Sequence, residues 1–174
     1  MEQARMMLPK VAGLLALGAL LLSGCLKTEK YPVEPAISQK SFALDNDTAN
    51  ALKLTIKFTD GDGDIGLDDS YNYAPYDRNS AYYYNMLINF QLKENGSWID
   101  AQQLYPYRLP VITPTGQNKA LNGEIEVTMW PFPGPLLPDH PVIDHGDTVR
   151  ATVKLIDRAL HESNVITTSE LKLP

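Results

Sequence analysis

Residues 52–59 read Leu52-Lys53-Leu54-Thr55-Ile56-Lys57-Phe58-Thr59, with an apolar side chain at every second position. Successive side chains of a strand point to opposite faces, so this spacing predicts a strand with one buried face and one wet face. The same period recurs through Tyr84, Met86, Ile88, Phe90 and Leu92, through Ile125, Val127 and Met129, and through Val149, Ala151, Val153 and Leu155. Asn95-Gly96 ends the first of these rows with the pair that a two-residue hairpin turn favours, and Trp98 and Ile99 begin the return. Beyond residue 35 no window of about 11 residues sustains an apolar 3.6 period, so no helix is expected there.

Strands are expected at residues 36–44, 51–59, 82–93, 97–104, 123–130, 147–156 and 164–173. Short alternating strands separated by turn chemistry predict an antiparallel β-sandwich of immunoglobulin or fibronectin III type, with a small barrel or jelly roll as the competing architecture. The proline-rich stretch Pro131 to Pro141 reads as a long crossover inside one domain. An up-and-down path brings the connections after the second, fourth and sixth strands to one end of that domain.

Composition agrees with a single globular unit: 174 residues, 44% hydrophobic and 21% charged. Thirteen prolines, nine tyrosines and a formal net charge of -6 argue against a helical bundle and against a protein that grips nucleic acid through phosphates. A single cysteine excludes a disulfide scaffold and any cysteine-based zinc site.

The first 24 residues read as an export signal. Arg5 and Lys10 precede the apolar run Val11 to Leu22, and Ser23, Gly24 and Cys25 follow it. As a helix that run reaches about 18 Å, short of a hydrocarbon core of roughly 30 Å, so a permanent membrane span is not expected. Leu22-Ser23-Gly24-Cys25 resembles the lipobox of bacterial lipoproteins, in which the chain is cut before the cysteine and the cysteine carries the lipid. The resemblance implies a mature chain anchored at Cys25 by two or three acyl chains, palmitate among them, enough to hold it stably on a membrane. Residues 25–35 then form a lipidated tether, polar and with two prolines, and residues 36–174 the sandwich. Position 26 is leucine rather than aspartate, which by the same resemblance favours the outer membrane. Both the periplasmic face and the cell surface stay open, although Lys27-Thr28-Glu29-Lys30 matches an acidic surface-export signal poorly.

The strand at 51–59 runs into Asp60-Gly61-Asp62-Gly63-Asp64-Ile65-Gly66-Leu67-Asp68-Asp69. Convergent carboxylates repel unless a cation sits between them, and hard oxygen ligands on a flexible loop suit Ca²⁺ better than zinc or copper. Asp60, Asp62 and Asp64 match the first, third and fifth positions of an EF-hand loop, but Ile65 stands at its obligatory glycine and Tyr71 at its bidentate glutamate. The expectation is instead an interloop Ca²⁺ site at one pole of the sandwich, with Asp157 of Ile156-Asp157-Arg158 arriving from the far end of the chain. The competing reading is a solvated turn in which Asp60 caps backbone amides and Arg158 pairs with a neighbouring carboxylate.

The lipobox, Phe58-Thr59-Asp60-Gly61-Asp62-Gly63-Asp64-Ile65-Gly66 and Ile156-Asp157-Arg158-Ala159 followed by Ser163-Asn164 together resemble a family of small Bacteroidota lipoproteins. The resemblance implies an immunoglobulin-like outer-membrane lipoprotein and brings no activity with it.

Six tyrosines, Tyr71, Tyr73, Tyr76, Tyr82, Tyr83 and Tyr84, crowd beside the aspartate loop. Rigid aromatic rings with a polar tip suit partner surfaces and stacking on sugar rings, so Tyr71, Tyr73, Tyr76 and Tyr82 are candidate binding residues, with packing in the core and over loops as the plainer account. Asp139-His140 and Asp144-His145 lack a third partner for a metal site. His161 and Ser163 follow Asp157, but their spacing does not build a nucleophilic triad, and no Gly-x-Ser-x-Gly elbow exists. The expected function is a non-catalytic binding or structural module of the cell envelope whose partner is an envelope protein or a glycan. A carbohydrate-binding accessory protein or weak glycan-active hydrolase is the alternative.

Overall fold

The computed structural model describes residues 30–48, 51–114, 118–130 and 141–174, with backbone alone at 102–104. The signal peptide 1–24, Cys25, the crossover from Pro131 and the Asp139-His140 pair lie outside the described residues. Every element among the described residues is a strand: β1 (Ala36–Leu44), β2 (Leu52–Asp60), β3 (Met86–Glu94), β4 (Ser97–Tyr107), β5 (Leu121–Met129), β6 (Thr148–Leu155), β7 (Ile166–Thr167) and β8 (Leu171–Lys172). They form two antiparallel sheets, one ordered β1-β2-β5 and the other β4-β3-β6-β7, with β8 also paired to β6. Among the described residues no helix is long and apolar enough to cross a membrane.

The alternation read from the sequence is the inward face. Leu52, Leu54, Ile56 and Phe58 from one sheet and Met86, Ile88, Phe90 and Leu92 from the other are buried, together with Ile125, Val127, Met129, Val149, Ala151, Val153 and Leu155. Phe42 meets Phe90 across the two layers, ring centroids 6.4 Å apart. Removing these apolar faces from water at about 25 cal/mol per Å² is the main force closing the sandwich. Asn95 and Gly96 take φ values of 49° and 82°, the left-handed pair that a tight hairpin needs.

Three expected strands differ by more than two residues or in continuity. The third begins at Met86 rather than residue 82, and Tyr84 is 40% exposed rather than inward. The chain is bent away before Asn85, because the Arg108 guanidinium takes the carbonyl of Tyr83 at 2.7 Å and stacks 4.7 Å from its ring. The fourth runs on to Tyr107 through Pro106, which an edge strand tolerates because one side of its backbone needs no partner. The last, expected as one strand over 164–173, is two short pieces. Between them the Thr168 hydroxyl accepts the N–H of Ala151 at 2.9 Å, and the N–H of Ser169 turns to Gln39 on β1 at 2.8 Å, so side chains interrupt the ladder.

The two sheets are stitched near the start of β1. Asn164 accepts the N–H of Ile37 and donates to its carbonyl, both at 2.9 Å. That gives the Ser163-Asn164 pair its structural task, since Ser163 in turn accepts the N–H of Leu155 at 3.0 Å. The tether is also partly taken up by the domain: Pro35 is buried and Tyr31 half-buried.

Candidate metal centre

β2 delivers Asp60 to the end of the core, where it is fully buried. Its Oδ2 accepts the N–H of Asp64 at 2.9 Å and closes the loop on itself. The loop then lies along the connection between β4 and β5: Ile112 donates to the carbonyl of Ile65 at 3.0 Å, and Leu67 donates to Leu109 at 2.8 Å. Buried Asn85 holds Leu109 in turn, accepting its N–H at 2.6 Å. Gly63 and Gly66 have positive φ, and a Cβ on either would stand 2.0 Å from a carbonyl oxygen, that of Lys119 or of Pro110. Only glycine fits so close an approach in that conformation. Ile65, fully buried, nails the loop to the core.

Asp157 arrives from the end of β6, 3% exposed, in a tight turn closed by the Asp157 N–H on the His161 carbonyl at 3.1 Å. The turn is sewn to the loop, since Arg158 donates its N–H to the Asp64 carbonyl at 3.2 Å. The carboxylate oxygens that Asp60, Asp62, Asp64 and Asp157 offer all lie within 4.8 Å of one another. The three connections therefore meet at one pole, as the up-and-down path predicts, and all four expected residues are brought together. Asp68 and Asp69 of the same acidic run stay outside and exposed.

Two like charges 4.8 Å apart repel by about 3 kcal/mol at an effective dielectric of about 20. Burial, reinforced by the charges of Asp62, Asp64 and Asp157, pushes the Asp60 carboxyl up to about 6, against the Asp64 N–H that holds it down. Burial likewise raises Asp64, with Asp157 and Asp62 adding to it. One oxygen on each of Asp60, Asp62 and Asp64 is buried without a hydrogen-bond partner. Buried polar atoms are almost always satisfied, so three orphaned carboxylate oxygens in so tight a cluster are the kind of group that could hold a cation. The donor set is all oxygen, with no thiolate and no free imidazole nitrogen aimed into it among the described residues.

The competing solvated-turn reading is right about Asp60, which does cap a backbone amide, and wrong about Arg158. That guanidinium donates to the carbonyls of Ile65 and Gly66, at 3.3 and 3.1 Å, rather than to a carboxylate. The carbonyls of the loop take the arginine's hydrogen bonds, while its charge pulls the Asp64 and Asp68 carboxyls down.

Two participants were hidden in the sequence. His161 binds Asp157 twice, through its N–H at 2.8 Å and Nδ1 at 2.9 Å, and that carboxylate raises its pKa. The pair is not a hydrolytic relay, because the Ser163 hydroxyl turns away to the carbonyl of Asn164. Arg108 is the other: its two Nη atoms donate to the carbonyls of Tyr76, Tyr83, Asp68 and Tyr71 and so shape the whole excursion 68–83.

Tyr71, Tyr73 and Tyr76 pack on one another with centroids 5.6 to 6.2 Å apart, and Tyr82 takes no part in the trio. The Tyr76 hydroxyl donates to the Arg158 carbonyl, tying this cluster to the aspartate pole. Beside it Asp69, Tyr71, Asn72, Asn79, Tyr83 and Arg108 line an open depression of about 360 Å³. Asp144 and His145 form a plain turn, with His145 Nδ1 3.0 Å from the Pro174 carbonyl.

Comparison with protein-family models, with curated proteins and with solved structures brings no match. The pole must be read from its own chemistry.

Proposed function

We propose that the chain is a lipid-anchored β-sandwich of the cell envelope, a non-catalytic binding or structural module whose aspartate pole is ordered by Ca²⁺. The observation that carries the ion is the set of three buried, unpartnered oxygens on Asp60, Asp62 and Asp64, gathered with Asp157. The four carboxylates offer one oxygen each, and Ca²⁺, which takes six to eight oxygens in variable geometry and completes its shell with carbonyls and water, suits such a set better than the strict octahedron of Mg²⁺. An ion-ordered pole meets a partner with less entropy to lose. The strand order, β1-β2-β5 against β4-β3-β6-β7, supports the immunoglobulin-type reading.

The test is a thermal melt of the full chain in EDTA and in Ca²⁺, with Asp62→Asn alongside. Ca²⁺ at about 100 times its dissociation constant adds roughly 2.7 kcal/mol, a rise of about 5–10 °C in a domain of this size. The mutation is expected to abolish that rise; equal melts in EDTA and Ca²⁺ would remove the ion from the account. The address rests on Leu22-Ser23-Gly24-Cys25 and on the resemblance to Bacteroidota lipoproteins. Labelling with a palmitate analogue, lost in Cys25→Ser, tests it.

A second reading, a carbohydrate-binding accessory protein, is favoured by the depression beside the tyrosines. Its walls join aromatic rings to Asn72 and Asn79, groups that hydrogen-bond hydroxyls, and Arg108 is already engaged with carbonyls. Retardation of the protein by a neutral polysaccharide in a native gel, lost in Asn79→Ala, would support it.

A further inference from the structure

The segment just ahead of β1 lies on the metal loop. A Cβ added to Gly61 would stand 2.4 Å from the carbonyl oxygen of Tyr31 and 2.5 Å from that of Pro32. Gly61 is flanked in sequence by Asp60 and Asp62, two of the four clustered carboxylates. The Tyr31 hydroxyl accepts a hydrogen bond from Asn122 of β5 at 3.1 Å, and Pro35 is buried at the other end of the segment. Between these holds, Pro32, Val33 and Glu34 are exposed, with Val33 at 44%. A segment with two prolines loses little chain entropy on docking, and with Pro32, Val33 and Glu34 exposed it buries little, so its attachment is finely balanced. Its seat is a backbone surface that exists only while the loop keeps its present course.

We propose that the cation held by Asp60, Asp62, Asp64 and Asp157 locks residues 31–35 onto the Gly61 turn, so that ion occupancy sets whether the N-terminal segment leaves the domain as a rigid strap or as a free tether. The proposal rests on the Ca²⁺ reading and deepens it: the ion's direct client is the chain's own N-terminal segment. Without the ion, four mutually repelling carboxylates open the loop, Gly61 withdraws from the Tyr31 and Pro32 carbonyls, and the segment is released at its Asp60 side. With the ion, residues 31–35 stay seated on the Gly61 turn.

The experiment places a nitroxide on Val33→Cys in the full-length chain carrying Cys25→Ser, with a second label on Glu94→Cys at the opposite end of the sandwich as control. Spectra are recorded in EDTA and in Ca²⁺, and Ca²⁺ binding is followed by the melt of the same sample. The expected result is a several-fold slower label at position 33 in Ca²⁺ than in EDTA, with no change at position 94. Gly61→Ala, whose methyl group takes the place of the carbonyls, is expected to leave the label fast in Ca²⁺ as well. Equal mobility at position 33 in both conditions, while the melt reports Ca²⁺ binding, overturns the strap and leaves the ion site standing. A melt indifferent to Ca²⁺ overturns both.

Discussion

Asp60 and Asp157 leave different sheets, β2 and the end of β6, yet both are buried and their carboxylate oxygens lie within 4.8 Å of each other. The nearby positive groups are His161, with Nδ1 2.9 Å from Asp157, and Arg158, whose charge pulls the Asp64 carboxyl down. Burying one carboxylate costs several kcal/mol, and a buried pair face to face is relieved either by a cation between them or by a proton on one of them.

That relationship predicts a crossing of stabilities. Asp60→Asn keeps a side-chain oxygen for the Asp64 N–H but removes one charge from the cluster. In EDTA the variant is expected to melt higher than the wild type, by roughly 1–3 kcal/mol of relieved desolvation and repulsion. In Ca²⁺ it is expected to melt lower. Parallel melts in the two conditions check it; a variant less stable in both would show that the carboxylate is held for its hydrogen bond alone.

The pH dependence in EDTA follows from the same group. The Asp60 carboxyl is raised from 3.8 to about 6 in the fold, so the native state holds a proton that the unfolded chain has already lost. Stability is therefore expected to fall as pH rises from about 4 to about 6, by roughly 3 kcal/mol from this group. His161 adds a loss at higher pH, since its pairing with Asp157 raises its pKa and that contribution disappears as pH climbs through the raised value. Saturating Ca²⁺ is expected to flatten the Asp60 part. Denaturant midpoints measured across pH with and without the ion read both.

Arg108→Lys tests the scaffold of the tyrosine excursion. A guanidinium fork reaches four carbonyls from Asp68, Tyr71, Tyr76 and Tyr83, a pattern an ammonium cannot reproduce. A loss of about 2–4 kcal/mol in chemical denaturation is expected, with new proteolytic cleavage between residues 68 and 83. Unchanged stability would mean that the excursion stands without its arginine.

Glycine positions separate conformational strain from collision. Gly96 has φ +82° and nothing within 4 Å of the place a methyl group would take, so Gly96→Ala is expected to cost about 1 kcal/mol. Gly66 has φ +95° with the Pro110 carbonyl 2.0 Å from that place, so Gly66→Ala is expected to cost at least about 3 kcal/mol. Equal losses, read from denaturant midpoints, would place the two turns under the same constraint and contradict a loop pressed onto residues 110–114.

The sandwich was legible in the sequence because Leu52 to Phe58 and Val149 to Leu155 alternate without interruption, and a period of two admits one buried face. The four aspartates were legible because strand direction alone carries Asp60 and Asp157 to the same end. Arg108 was not, since an arginine between Tyr107 and Leu109 resembles any surface arginine until the path of residues 68–83 is known. The role of His161 was equally hidden: its partner Asp157 lies four residues back, and only the tight turn beyond β6 folds the imidazole onto it. Tyr84 misled because its parity continues the inward row, while the capture of the Tyr83 carbonyl by Arg108 keeps the strand from starting before Met86.

The most direct measurement is the stoichiometry of Ca²⁺ bound to the full chain by equilibrium dialysis, with Asp157→Asn as the decisive variant because it lies outside the acidic run. One ion per wild-type chain and a severe loss of binding in Asp157→Asn are expected. No bound ion, or binding that Asp157→Asn leaves intact, would contradict the Ca²⁺ reading.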